Sequence, residues 1–312
     1  MTALSDPQIT PDGAAVVVVR KVVGEKNRTE SSLWIAPVEG PVAPRPLTSG
    51  LRDSLPRIAP DGRTVAFVRG SAGGASQIPR AHAVAIRHFD PTLSPACRTR
   101  ALATNRAPDA LLKPWKTEIL LLDVASGTTT PLDGLPIGPK SSVAWSPDGR
   151  MLAWAGRKGR DGLYSTENLE LWVAGIAATK RGRGRATSTA LRPRSLTHQF
   201  DGCLAAGTLS DAADAAFDAV LRWRPDGTGL FTRIGRHGEG HLVEVPLDGT
   251  QPRFLTEGPY EHALGSISAD GRRIAAIRTD ATTPVEAGVL ELERSRGGRD
   301  TGKAAWRCRT AF

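Results

Sequence analysis

The chain of 312 residues holds only three cysteines, Cys97, Cys203 and Cys308, an odd and widely spread set. This excludes a disulfide framework and any C-x-x-C metal pair, and makes a reducing, cytoplasmic compartment the simplest expectation. Long apolar runs are missing as well. The longest near the start is Ala14–Val19, far short of the ~20 residues that a membrane-crossing helix needs. The first residues, Met1-Thr2-Ala3-Leu4-Ser5-Asp6-Pro7, show no basic stretch followed by an apolar core, so neither a secretory leader nor a membrane partner is expected.

Turn formers are abundant instead. There are 33 glycines and 23 prolines, which favour many short elements over long helices. Hydrophobic residues make up 40%, enough for a sizeable core and too many for global disorder. The length suits about two average domains or one large all-β domain.

A repeated tripeptide organises the chain. Pro-Asp-Gly occurs at Pro11-Asp12-Gly13, Pro60-Asp61-Gly62, Pro147-Asp148-Gly149 and Pro225-Asp226-Gly227, with a degenerate copy at Ala269-Asp270-Gly271. From one aspartate to the next the steps are 49, 87, 78 and 44 residues. Two of these are one blade period and two are about twice that, so two hidden or degraded copies are expected. Downstream of most copies runs a short apolar strand, such as Val65-Ala66-Phe67-Val68 or Ile274-Ala275-Ala276-Ile277. A second strand follows, Leu33-Trp34-Ile35 or Leu171-Trp172-Val173, and several units close on Leu-Thr: Leu47-Thr48, Leu196-Thr197 and Leu255-Thr256. Proline presets φ at the first corner, aspartate bonds the following backbone, and glycine accepts positive φ. A unit of about four strands cannot bury both faces alone. Repeated radially, such units cover one another, which predicts an all-β fold: a β-propeller of about six to seven four-stranded blades, incomplete at the C-terminus. Residues 1–293 are expected to form the propeller.

This succession of motifs resembles the propeller blades of the prolyl oligopeptidase family of serine peptidases, in its acylaminoacyl-peptidase and dipeptidyl-peptidase-like branch. The resemblance rests on Ser5–Gly13, Ser32-Leu33-Trp34, Pro46–Gly50 and Trp145-Ser146-Pro147-Asp148-Gly149-Arg150, and covers residues 1–70 and about 111–293. TolB-like propellers share the repeat, and a protein-binding module of that kind is the alternative. The resemblance implies a propeller that restricts an α/β-hydrolase domain to oligopeptides. That hydrolase carries its triad on a G-x-S-x-G elbow, and no such string occurs in these residues. The nearest, Gly70-Ser71-Ala72-Gly73-Gly74, has serine in the wrong place. No catalytic residue is therefore assigned, the substrate-binding residues stay unknown, and the chain is expected to be truncated before the catalytic domain and inactive alone. No cofactor is expected. The expected partner is an oligopeptide, if the chain is joined to a catalytic domain.

Two segments leave the pattern, residues 71–110 and 294–312. Both are rich in Arg and Ala, and each holds one cysteine. Such composition points to out-of-frame translation of a GC-rich gene. The alternative is a divergent blade and a natural tail, and residues 294–312 are expected to be a disordered tail in the finished chain.

Other clusters carry weaker chemistry. His237-Gly238-Glu239-Gly240-His241 is not H-E-x-x-H, and a hairpin turn before Leu242–Val245 accounts for it better than a metal site. Lys180–Arg185 is basic but lacks interleaved aromatics, which suits a solvated loop. Asp211, Asp214 and Asp218 could face one way on a helix; the competing reading is a polar loop before a strand at Ala219–Trp223, and no base or nucleophile accompanies them. Trp34, Trp145, Trp154, Trp172 and Trp223 are expected to pack between blades rather than cage a ligand, and Cys203 to be a buried small hydrophobe. The net charge of +9 sits outside the repeats: residues 71–117, 180–194 and 294–312 hold +5, +6 and +5, leaving −7 elsewhere. A nucleic-acid partner is accordingly not expected.

Overall fold

A computed structural model describes residues 2–24, 29–50, 52–70, 117–136, 138–158, 168–177, 188–204, 219–294 and 300–308. These residues form twenty β-strands in five four-stranded units. Unit I comprises β1 (Thr2–Ile9), β2 (Ala15–Val23), β3 (Thr29–Pro37) and β4 (Arg45–Pro46). Unit II comprises β5 (Asp53–Ile58), β6 (Thr64–Gly70), β7 (Thr117–Asp123) and β8 (Thr129–Asp133). In unit III are β9 (Lys140–Trp145), β10 (Met151–Gly156), β11 (Glu170–Ile176) and β12 (Ser188–Ser195). Unit IV holds β13 (Arg222–Trp223), β14 (Gly229–Arg236), β15 (Glu239–Pro246) and β16 (Arg253–Phe254). Unit V holds β17 (Glu261–Ile267), β18 (Arg273–Thr279), β19 (Glu286–Arg294) and β20 (Asp300–Cys308). Within each unit consecutive strands pair antiparallel, as in propeller blades. Short parallel pairings join neighbouring units, β8 to β12 and β15 to β17.

Among the described residues the doubled steps hold no further unit. β6 pairs β7 from Thr64↔Asp123 to Gly70↔Thr117. Residues 71–116 are therefore an insertion between two adjacent strands of unit II, and the step from Asp148 to Asp226 likewise holds one unit with long connections. The off-pattern segment 71–110 lies outside the described residues. The expectation of a disordered tail is corrected for Asp300–Cys308. This stretch pairs with β19 from Gly288↔Cys308 to Arg294↔Asp300 and occupies the fourth-strand place of unit V. The edge of β19 offers unpaired N–H and C=O groups, and any backbone able to extend can satisfy them.

Each aspartate turn has the same construction. The glycine N–H reaches back to the carbonyl of the residue before the proline position, as in Gly13 to Thr10 at 2.8 Å and Gly227 to Arg224 at 2.9 Å. The aspartate carboxylate accepts the N–H two residues on, from Ala14, Arg63, Arg150, Thr228 and Arg272, at 2.9–3.1 Å. All five glycines have φ between 68° and 72°, a conformation that costs other residues about 1–2 kcal/mol. In units I, III and V the hydroxyls of Thr10, Ser146 and Ser268 also donate to the aspartate at 2.6 Å. These hydroxyls, followed by the turn N–H groups, hold the carboxyls of Asp12, Asp148 and Asp270 below the ordinary aspartate value. The turns also stack on one another. A methyl at Gly62, Gly149 or Gly271 would meet the ring of Pro11, Pro60 or Pro225 of the preceding unit at 3.1–3.5 Å.

The Leu-Thr closures have an equally specific cause. The hydroxyls of Thr48, Thr197 and Thr256 accept the N–H of Leu33, Leu171 and Leu242 at 2.9–3.0 Å. Each of these amides is buried within a third strand, and the threonine satisfies it.

Four apolar clusters fill the four interfaces between the five units. Val17 and Leu33 of unit I meet Val65 and Phe67 of unit II. The opposite face of unit II, Ala66 and Ile119, meets Leu152 and Trp154 of unit III. Leu171 and Val173 meet Leu230 and Val243 of unit IV, and Phe231 and Leu242 meet Ile274 and Leu290 of unit V. Strands of units II–IV therefore bury consecutive residues, because both sheet faces are covered. β2 and β18 alternate instead, with one face covered and one open. Leu4 and Ile9 of β1 are 67% and 64% exposed.

Candidate functional site

The first strands of successive units lie side by side, β1 against β5, β5 against β9 and β9 against β13. They are tied across the interfaces by indole N–H groups. Trp145 Nε1 donates to the Arg57 carbonyl and Trp223 Nε1 to the Ala144 carbonyl, both at 3.0 Å. Each tryptophan stands two residues before a turn proline and reaches the inner strand of the preceding unit.

These inner strands are bulged. The pairing register slips between Ser5 and Gln8 in β1, between Ser54 and Arg57 in β5, and across Ser142 in β9. Asp6, Leu55 and Ser142 take the bulge positions with φ of 50°, 54° and 45°. All three stand five residues before a turn proline. A bulge re-aims the side chain it carries, and left-handed backbone at a non-glycine residue stores strain that clusters at functional positions.

The three bulge residues converge on one cavity of about 440 Å³, within the range of small-ligand sites. Its polar lining includes Asp6, Lys21, Arg57, Ser142 and Arg222. Arg57 and Arg222 each stand three residues before a turn proline, in units II and IV. Arg57 Nη1 donates to both carboxylate oxygens of Asp6 at 2.9 Å, which neutralises one positive charge. Gln8 Nε2 also donates to Asp6 Oδ1 at 3.1 Å. The bond shown for the Arg222 guanidinium is to the adjacent Leu221 carbonyl at 3.3 Å. Arg222 is exposed; partial desolvation first, and then the neighbouring Arg57, lower it from the ordinary arginine value, while Asp6 opposes them. Ser142 is 4% exposed and its Oγ has no hydrogen-bond partner. The cavity thus presents surplus positive charge, with an unpartnered hydroxyl buried in its wall, a combination that suits an anionic group.

The turn residues were legible in the sequence; this lining was not. The signal was present in register, as positions three and five before each proline. The turn residues Asp12, Gly13, Asp61, Gly62, Asp148, Gly149, Asp226, Gly227, Asp270 and Gly271 lie on the hairpin ends of the units, between first and second strands. His237 and Gly238, at φ 53° and 83°, form the turn between β14 and β15. His241 Nε2 lies 2.8 Å from Glu239 Oε2, and the His262 Nδ1 lies 2.7 Å from the Gly240 carbonyl. Burial first, with His241 and Arg278 adding to it, holds His262 below the ordinary histidine value.

Trp154 and Trp172 stack across β10 and β11, centroids 6.1 Å apart, on the face toward unit II. Trp34 departs from the expected inter-blade role, since it lies under Arg20 at 4.8 Å on the open face of unit I. Cys203 is half-buried rather than buried, and its sulfur accepts the Leu169 N–H at 3.4 Å. The strand expected at Ala219–Trp223 is confined to Arg222–Trp223. Lys180–Arg185 and Asp211, Asp214 and Asp218 lie outside the described residues.

The chain matches no family model. It is 25% identical over 154 residues to dipeptidyl-peptidase 5 of Porphyromonas gingivalis, a match covering 49% of this chain and 18% of that protein. It is 38% identical over 82 residues to the uncharacterized peptidase YuxL of Bacillus subtilis, covering 25% of this chain and 12% of the relative. The chain thus corresponds to less than a fifth of either relative's length. Among solved structures, puromycin hydrolase superposes with a TM-score of 0.58 at 19% identity, covering 100% of this chain and 38% of that one. The putative TolB of Agrobacterium tumefaciens gives 0.51 at 15% identity, covering 97% and 80%. Over part of its length the chain is a distant homologue of peptidases of the prolyl oligopeptidase family, and its blade-like units match the propeller portion of puromycin hydrolase.

Proposed function

We propose that this chain is the propeller portion of a serine peptidase acting on oligopeptides, and that it seats and sieves short peptides for an α/β-hydrolase domain. The observation that carries this reading is the sequence relation to two peptidases, dipeptidyl-peptidase 5 and YuxL. The five units would belong to a ring of six or seven blades, a reading supported by the open sheet faces of units I and V. Acyl transfer needs an activated nucleophile and an oxyanion hole. The 312 residues contain no G-x-S-x-G elbow, so the chain alone is proposed to be inactive.

The test uses the purified chain with acyl-aminoacyl and dipeptidyl p-nitroanilides, alongside binding of fluorescent pentapeptides. The expected result is peptide binding without release of nitroaniline. Turnover that tracks the chain through successive columns would overturn the proposal. The second reading, a TolB-like module that docks a folded protein, is favoured by the 80% coverage of the putative TolB chain. It predicts no pentapeptide binding.

A further inference from the structure

We propose that the cavity on the inner strands is a carboxylate-binding site, with Arg222 as the principal counter-charge, Ser142 Oγ as a hydrogen-bond donor and Lys21 as a second cation. The cavity draws these groups from three units separated widely in sequence. Asp6 already occupies Arg57 through two contacts at 2.9 Å. What remains for a ligand is the guanidinium of Arg222, the ammonium of Lys21 and the hydroxyl of Ser142.

Ser142 supplies the independent sign of a ligand. A serine hydroxyl 4% exposed normally finds a partner, and here none is present. Ser142 moreover stands in the wall of the cavity with its backbone held at φ 45°, at some cost in strain. A carboxylate is the chemistry that matches all three groups. It accepts from a planar guanidinium in two parallel bonds and leaves lone pairs for a hydroxyl and an ammonium. The volume of about 440 Å³ admits a terminal residue together with its carboxylate. The carboxylate could come from the C-terminus of an oligopeptide or from a small free acid. The first source rests on the peptide-seating function proposed above; the second does not.

The experiment compares binding to the whole chain of a tripeptide free acid, its C-terminal amide and N-acetylglycine, by calorimetry at fixed ionic strength. The free acid is expected to bind about tenfold or more tightly than the amide, as fits loss of a charge-assisted contact. Arg222→Gln should abolish that preference, and Ser142→Ala should reduce it several-fold without lowering the melting temperature, since its hydroxyl bonds nothing. Arg150→Gln, on an exposed turn, should leave it unchanged. N-acetylglycine binding as tightly as the tripeptide acid would uphold the carboxylate site and assign it to a small acid, even if peptide seating fails. Equal binding of acid and amide, or retention of the preference in Arg222→Gln with its fold intact, would overturn the proposal.

Discussion

Replacing Thr256 with valine removes one oxygen and leaves the shape of the side chain almost unchanged. That oxygen accepts the N–H of Leu242 at 3.0 Å. Leu242 is fully buried and Thr256 nearly so, so water cannot reach the amide in its place. An amide left unsatisfied in such surroundings costs about 1–3 kcal/mol. Serine at the same position keeps the acceptor and loses one methyl, which costs about 0.8 kcal/mol. Urea unfolding followed by tryptophan fluorescence should place Thr256→Val below Thr256→Ser in stability. Hydrogen exchange should locate the difference at the Leu242 amide, accelerated in the valine variant beyond the global change. The substitutions Thr48→Val and Thr197→Val should behave alike through Leu33 and Leu171. A valine variant as stable as the serine one, with Leu242 exchange unchanged, would refute the claim that the threonine is there for its hydroxyl.

Other outcomes follow from the same geometry. Gly227→Ala and Gly271→Ala share the strain of a positive φ, but only at Gly271 would the new methyl meet a proline ring, at 3.1 Å. Gly271→Ala should therefore lose about 1 kcal/mol more in urea unfolding. Trp223→Phe removes the bond to the Ala144 carbonyl and should cost about 0.5–1.5 kcal/mol at the interface of units III and IV. His262 binds its proton less tightly when folded than at its ordinary value of 6.5. The unfolded chain then takes up the proton first as pH falls, so this stability is intact above 6.5 and declines below it. His262→Gln should flatten that decline in melts recorded across the range.

The five turns, the strands beside them and the all-β class were legible in the sequence, because proline, aspartate and glycine act through bonds that span three or four residues. Alternating and continuous apolar runs likewise depend only on which face of a strand is covered. The number of units was not legible. Spacing between turns counts inserted residues as readily as strands, and only the pairing of β6 with β7 shows that residues 71–116 interrupt a single unit. The strand at Asp300–Cys308 was invisible for a similar reason, since it has no blade signature of its own and is ordered by the edge of β19. The cavity was decided entirely by tertiary structure. Asp6, Arg57, Ser142 and Arg222 share only their register, five or three residues before a turn proline, and nothing local brings them together. They line one cavity because the first strands of successive units lie side by side, three of them bulged at equivalent positions.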